Sequence, residues 1–254
     1  RKDRCVENIP SMRRTIIGGY YHHFYDSCRS NRRLQNVGTR TIPHCSFLST
    51  RGKKGPPLLE DIFQHEKVKD MSNEEISHLW MEYHQHKEHM YGSIVSGDMG
   101  HSILKNASKS PFWVHPIFRK DDKANPDMQD GQYFVLVSQF QSPTHFVLTS
   151  LDQYLVNPNI AMPLVLCSVF DDYITNRNLT LVRAEVIPPS TISKEDMSII
   201  IPQLLHSYSN EDDYTNMVHT FNHRSNDFHW DKFLELRKHQ WYKIKNNNDT
   251  TKES

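Results

Sequence analysis

Histidine is the residue type in this chain with the most potential for chemistry, since sixteen occur in 254 residues. His84, His86 and His89 fall in a segment predicted to be helical, where their spacings do not place them on one face. His219 and His223 are four residues apart and would share a face, but no glutamate completes the HExxH arrangement of a zinc hydrolase. We therefore expect solvated histidines, no metal site and no cofactor. A metal-dependent hydrolase that uses these histidines is the alternative function.

Other reactive groups also lack the surroundings that catalysis needs. Cys167 lies in the apolar run 164–170, which predicts a buried thiol and not a nucleophile. Residues 97–102 hold two glycines near a serine but do not match GxSxG, so they predict the start of a helix. The pairs Asp171–Asp172 and Asp212–Asp213 lie in polar turns, and no GxxxxGK[ST] or GxGxxG phosphate loop is present. The sequence thus predicts no catalytic residue and no enzyme.

One stretch, Gly131–Tyr154, predicts the element around which the chain folds. Residues 133–140 are apolar on both faces, which is typical of a strand that is covered on both sides. Turn-forming residues follow at 141–143, and β-branched and aromatic residues resume over 145–151. The short connection predicts an antiparallel hairpin, and we place this hairpin in the middle of a sheet.

The remaining pattern surrounds this hairpin with helices and further strands. Ser72 and Glu75 form a capping box, the start signal of a helix over 72–90. Its predicted apolar face holds Ile76, Leu79, Trp80 and Tyr83. The other predicted elements are a helical turn over 58–63, strands over 91–95, 112–118, 164–170, 179–187 and 216–221, and helices over 99–108, 193–208 and 227–241. Helices towards both ends of the chain predict an α+β fold with a mostly antiparallel or mixed β-sheet.

Prolines and tryptophans refine this prediction. Pro116 directs its strand to an edge or a bulge, because proline cannot donate to a neighbouring strand. Pro202 predicts a kink or a late start in its helix. The four tryptophans are predicted to be core residues: Trp80, Trp113, Trp230 and Trp241. No apolar run reaches the roughly 18 residues of a membrane-spanning helix, so no membrane insertion is expected.

Charge divides the chain into unlike parts. Residues 1–55 hold 12 basic and 3 acidic residues, and residues 56–254 hold 18 basic and 27 acidic residues. A leader that is rich in arginine and serine and poor in acids is typical of a mitochondrial presequence; a basic tail that binds nucleic acid is the alternative. The acidic body argues against nucleic acid as its partner. We predict a disordered leader over 1–55, a single domain over 56–242 and a disordered tail over 243–254.

Several short stretches, in order along the chain, resemble the mitochondrial ATP synthase F1 complex assembly factor 1 family. Together they run from Pro56 to Leu236. Ser96 and Ser225 depart from the family pattern, which has proline at these positions. The matching residues are Leu58–Phe63, Ser72–Ile76, Leu79–His84, Pro111–Phe112 with Pro116, Tyr133–Phe134, Gln139, Thr149–Leu151, Tyr154, Val218, Thr220–Asn222, Asn226 and Phe228.

The resemblance implies a chaperone of the mitochondrial matrix that works as a monomer without a cofactor. It would bind the unassembled F1 β subunit transiently and prevent its aggregation until an α subunit takes its place. The resemblance assigns no individual partner-binding residue, because the matching motifs are largely structural. The edges of the Gly131–Tyr154 hairpin and the strands beside it are the first places expected to carry a partner-binding face.

Overall fold

The computed structural model describes residues 56–118 and 133–250, with side chains up to residue 245. The predicted leader over 1–55 lies outside the described residues. Within them the chain forms a six-stranded, wholly antiparallel sheet with helices packed around it. The predicted α+β class is therefore confirmed.

The sheet has the order β1-β6-β5-β4-β3-β2. Its strands are β1 (Met90–Ser96), β2 (Phe112–Phe118), β3 (Tyr133–Gln141), β4 (His145–Ser150), β5 (Pro163–Phe170) and β6 (Leu179–Val186). The predicted hairpin forms as β3 and β4, with Phe140 opposite Phe146. The hairpin was predicted in the middle of the sheet, which is right for β4 but not for β3. Because β1 pairs with β6 at the far edge, the two central strands are β4 and β5. Pro116 lies in the edge strand β2, as predicted.

The helices carry the numbers α1 to α9 in chain order. They are α1 (His65–Val68), α2 (Asn73–Gln85), α3 (Gly97–Lys109), α4 (Leu151–Val156), α5 (Ile174–Arg177), α6 (Lys194–Ser209), α7 (Glu211–Asp213), α8 (Thr220–His223) and α9 (Trp230–Thr250). Single 3-10 turns occupy Leu59–Asp61 and Ser225–Asp227, and a π-helix occupies Tyr214–His219.

Both faces of the sheet are covered, because alternate residues of a strand point to opposite faces. On one face, Thr180 of β6 packs against α3, and the Phe146 ring of β4 lies 5.4 Å from the Tyr208 ring of α6. On the other face, Leu181 and Phe170 pack with Trp80 of α2. Such two-sided burial explains why the central strands are apolar on both faces.

Capping residues start the two main helices where the sequence predicts them. The Ser72 hydroxyl accepts from the Glu75 backbone N–H at 3.2 Å, and the Glu75 carboxylate accepts from the Ser72 N–H at 2.8 Å. Ser193 and Asp196 make the same reciprocal pair at the start of α6. Helix α6 therefore begins before Pro202 and runs through it, which excludes the predicted late start.

The carboxyl-terminal part departs from the prediction. The strand expected over 216–221 is wrong, since these residues belong to the π-helix and α8. Val218 and Phe221 both point into the core, as their helical spacing requires, and that packing overrides their strand propensity. Helix α9 extends to Thr250, so residues 243–250, which were predicted to belong to a disordered tail, are helical. Helix α4 has no counterpart in the prediction.

Candidate protein-binding surface

Three histidines are core residues, which corrects the expectation of a solvated set. His84 is 2% exposed, and its Nδ1 donates to the Trp80 carbonyl oxygen at 2.7 Å. Burial lowers the pKa of His84 to about 4, and burial beside Arg237 lowers the pKa of His115 to about 3. His145 is also buried, with Nδ1 2.6 Å from the Thr144 hydroxyl. Their apolar strand and helix partners, not their own residue type, decide this burial.

His219 and His223 come together, but as a structural pair. Their rings lie 4.4 Å apart, and His223 Nε2 is 3.1 Å from the Ser110 hydroxyl and 3.2 Å from the Lys109 carbonyl oxygen. These contacts join α8 to the end of α3, where a histidine N–H satisfies a terminal helix carbonyl. Within residues 56–118 and 133–250, no group of three or more His, Cys, Asp or Glu side chains could hold a metal ion.

Most of the remaining candidate groups are placed as the sequence predicts, but Asp212 and Asp213 lie in the short helix α7 and not in a turn. Cys167 is fully buried in β5, and burial raises the pKa of its thiol to about 12, so it stays protonated and inert. Gly97 begins α3, and Gly97 and Gly100 let this helix lie close against residues 178 and 180. Asp171, Asp172 and Asp212 are exposed. The Ser110 hydroxyl, which lies beside His223, belongs to a fully buried residue.

A buried polar row, which the sequence analysis missed, crosses the middle of the sheet. The strand register places His145 opposite Ser168, Ser168 opposite Arg183, and Arg183 opposite Gly92. Arg183 donates to the Glu185 carboxylate at 2.8 Å. The His84 ring fills the space over Gly92, where a β-carbon would lie 2.7 Å from it. Since a slip of one residue would carry these groups to the opposite face, the row specifies the register of the sheet.

Helix α2 exposes part of its predicted apolar face. Ile76 and Trp80 are fully buried, but Leu79 is 36% and Tyr83 is 41% exposed. The Lys87 ammonium lies 3.9 Å above the Tyr83 ring and covers one side of it. The buried stripe is thus narrower than predicted, because only one side of α2 faces the sheet.

Another exposed apolar surface of the described chain is the α4–β5 turn, residues 156–162, which holds two of its most exposed large apolar side chains. Val156 is 83%, Ile160 65% and Met162 43% exposed. Directly before the turn, Tyr154 and Leu155 of α4 are buried and anchor the segment to the core. Helix α4 and this turn together join β4 to β5, the two central strands, so the turn lies beside the hairpin where the sequence predicts a partner-binding face.

Hydrogen bonds within the segment hold this turn in shape. The Asn157 side-chain oxygen accepts from the Asn159 N–H at 3.0 Å, and the Gln153 side-chain oxygen accepts from the Met162 N–H at 3.3 Å. The Ile160 N–H donates to the Asn157 carbonyl oxygen at 3.2 Å. The turn therefore presents its apolar side chains from a fixed backbone.

The sequence around this turn is free of cations. No lysine or arginine occurs from Tyr133 to Asn176, and Asp152 is the one charged residue between Tyr133 and Phe170 at neutral pH. Depletion of charged residues is a property of the centre of protein–protein interfaces. No helix within the described ranges is long and apolar enough to cross a membrane.

A protein-family model matches most of the chain. The family model described as "ATP11 protein" matches residues 30–234, well over half of the chain. The match contains the whole sheet and the α4–β5 turn, and it starts within the segment predicted as the leader. No curated protein matches the chain.

Proposed function

The chain belongs to the ATP11 protein family, the family of the mitochondrial F1 ATP synthase assembly factor, and from this membership we propose that it binds the unassembled F1 β subunit. The family acts in ATP synthase assembly and is not a known enzyme family. In the proposed function, the protein keeps β soluble until an α subunit displaces it. It works as a monomer, without a cofactor, in the mitochondrial matrix.

The physical need for such a partner follows from the state of a free subunit. A subunit without its neighbour exposes an apolar surface, and apolar surfaces of this kind associate with each other. A protein that covers the surface and later gives it up needs an interface of modest area, because large apolar interfaces are permanent. The exposed and preorganised α4–β5 turn supports this proposal, and it is the observation in the described residues that carries it.

The test uses the full chain with purified β. Denatured β is diluted into buffer without nucleotide, and its aggregation is followed by light scattering as the chain is added. We expect suppression near equimolar amounts, a 1:1 complex by size-exclusion chromatography, and release of the chain when α is added. Aggregation at the same rate with and without the chain would contradict the proposal. Serum albumin at the same concentration is the control for non-specific protection.

The leader supports the proposed location through its charge. Arginine-rich, acid-poor segments direct proteins into mitochondria. We expect isolated mitochondria to import the chain, shorten it and shield it from added protease in the matrix. A chain that keeps its full length, or one that stays open to protease, would contradict this part of the proposal.

A further inference from the structure

We propose that the α4–β5 turn is the contact of this chain with the apolar, α-facing surface of the unassembled β subunit. The inference rests on the proposed function and adds to it the place of binding. Its residues are Val156, Ile160 and Met162, the exposed apolar side chains of the turn.

Burial is the first reason. Folding leaves much of these three residues uncovered, since each keeps 43–83% of its surface in water. Their neighbours Tyr154 and Ala161 are 3% and 5% exposed, so the same segment does bury apolar residues where the fold uses them. The exposed set is therefore a surface that a partner, and not the core, can cover.

Preorganisation is the second reason. Binding costs free energy when it orders flexible groups, and a segment held in its bound shape avoids that cost. The Gln153 side-chain oxygen accepts from the Met162 N–H and the Asn157 carbonyl oxygen accepts from the Ile160 N–H, which fixes the positions of Ile160 and Met162 before any partner arrives. The turn belongs to the connection between β4 and β5, and the pairing of these two central strands gives it a rigid base.

Charge and area select the kind of occupant. The segment that carries the turn has no lysine or arginine from Tyr133 to Asn176, so it supplies none of the cations that bind nucleic acid or an anionic membrane. The exposed parts of the three residues amount to on the order of 300 Å². A stable complex buries about 800 Å² on each partner, so the turn would be one anchor of a wider, reversible contact with an apolar partner.

The test compares two substitutions of equal exposure in the full chain. Ile160 and Leu58 are both 65% exposed, and Leu58 lies in the amino-terminal part of the described chain. We expect the single variants Ile160→Ser and Val156→Ser each to weaken the capture of β about tenfold or more. The control variant Leu58→Ser should capture β as well as the unchanged chain does. Capture is measured as the dissociation constant for labelled β, and circular dichroism with a thermal melt verifies that each variant is folded.

The outcomes separate this inference from the proposed function. If the unchanged chain does not capture β, the proposed function fails. If the unchanged chain captures β and Ile160→Ser and Val156→Ser capture it equally well, the function stands and the turn is not the contact. Loss of capture by Leu58→Ser to the same degree would also overturn the assignment. So would sedimentation showing a dimer that Ile160→Ser dissociates, or flotation with neutral phosphatidylcholine vesicles that Ile160→Ser abolishes.

Discussion

Replacement of Gly100 by alanine tests the packing of α3 on the sheet, because close packing predicts that it lowers the free energy of unfolding and loose packing predicts that it raises it. A β-carbon at Gly100 would lie 2.0 Å from the Thr180 hydroxyl oxygen and 2.8 Å from both Cβ and Cγ2 of Thr180. Thr180 is fully buried in β6, and a β-branched side chain on a strand has few other rotamers. The added methyl group must therefore push the helix away from the strand.

The expected magnitude follows from two opposing effects. Alanine in place of glycine in a helix contributes about 1 kcal/mol of stability. Overpacking of a core costs about 1–3 kcal/mol. The overlap at Thr180 is severe, because the added β-carbon would meet the Cβ, Oγ1 and Cγ2 atoms of a short side chain that cannot swing away. We expect the cost to exceed the gain, with a net loss of about 1–2 kcal/mol. For a domain of this size that loss lowers Tm by about 2–8 °C.

Urea unfolding followed by circular dichroism measures this change, and two further variants interpret it. Lys105→Ala, on the exposed side of α3, should stay within about 0.5 kcal/mol of the unchanged chain. Thr180→Ala removes the Oγ1 and Cγ2 atoms, so Gly100→Ala should cost less in that background by about 1 kcal/mol. Thr180 Oγ1 has no hydrogen-bond partner among the described residues, so its removal breaks no bond there. A more stable Gly100→Ala variant, or equal costs in both backgrounds, would refute the packing argument.

Three other changes test other parts of the fold. Asn222→Ala should lower the free energy of unfolding in urea by about 2–4 kcal/mol. The buried Asn222 amide accepts from the Phe112 N–H at 3.1 Å and donates to the Phe112 carbonyl oxygen at 2.6 Å, and both partners would be left unpaired. A loss below about 1 kcal/mol would contradict this. Pro202→Ala should raise the free energy of unfolding by about 2 kcal/mol, because an exposed proline inside α6 removes a helical hydrogen bond; an unchanged urea midpoint would show that the helix has already adapted. Acid should destabilise the protein between about pH 6.5 and 4. Burial holds the pKa of His84 at about 4 in the folded protein, whereas it is 6.5 in the unfolded chain. The unfolded chain therefore binds more protons in this pH range, and the free energy of unfolding falls as the pH falls. His84→Gln should reduce the difference between urea midpoints at pH 7 and pH 5, and an undiminished difference would assign the acid sensitivity to other groups.

Local signals account for the parts of the fold that the sequence predicts. The capping boxes at Ser72 and Ser193 act within one helical turn, so four residues are enough to locate each helix start. The β3–β4 hairpin is predictable for the same reason, because its strands are joined by a short turn. Pro116 marks the edge strand through its missing N–H alone.

Long-range packing decides what the sequence leaves open. Asn222 lies 110 residues from Phe112, and its pairing with that strand turns a segment of strand propensity into a helix. The position of the hairpin in the sheet depends on β1, which pairs with β6 far along the chain. The core position of His84 depends on Gly92, which leaves room for the ring. None of these contacts has a signal within a short window of sequence.

The exposed turn was hardest to anticipate, because its significance is defined by what folding leaves uncovered. Val156, Ile160 and Met162 read as ordinary apolar residues in a connector, and only their exposure distinguishes them from buried neighbours such as Tyr154. Both sheet faces are occupied by helices, so the described part of the chain can meet an apolar partner at an edge strand or on the outer surface of a helix or a turn. The α4–β5 turn combines exposed apolar area, a backbone held by its own side chains and a sequence segment without lysine or arginine. A connector between adjacent strands needs none of these properties, which is why a partner accounts for them better than the fold does.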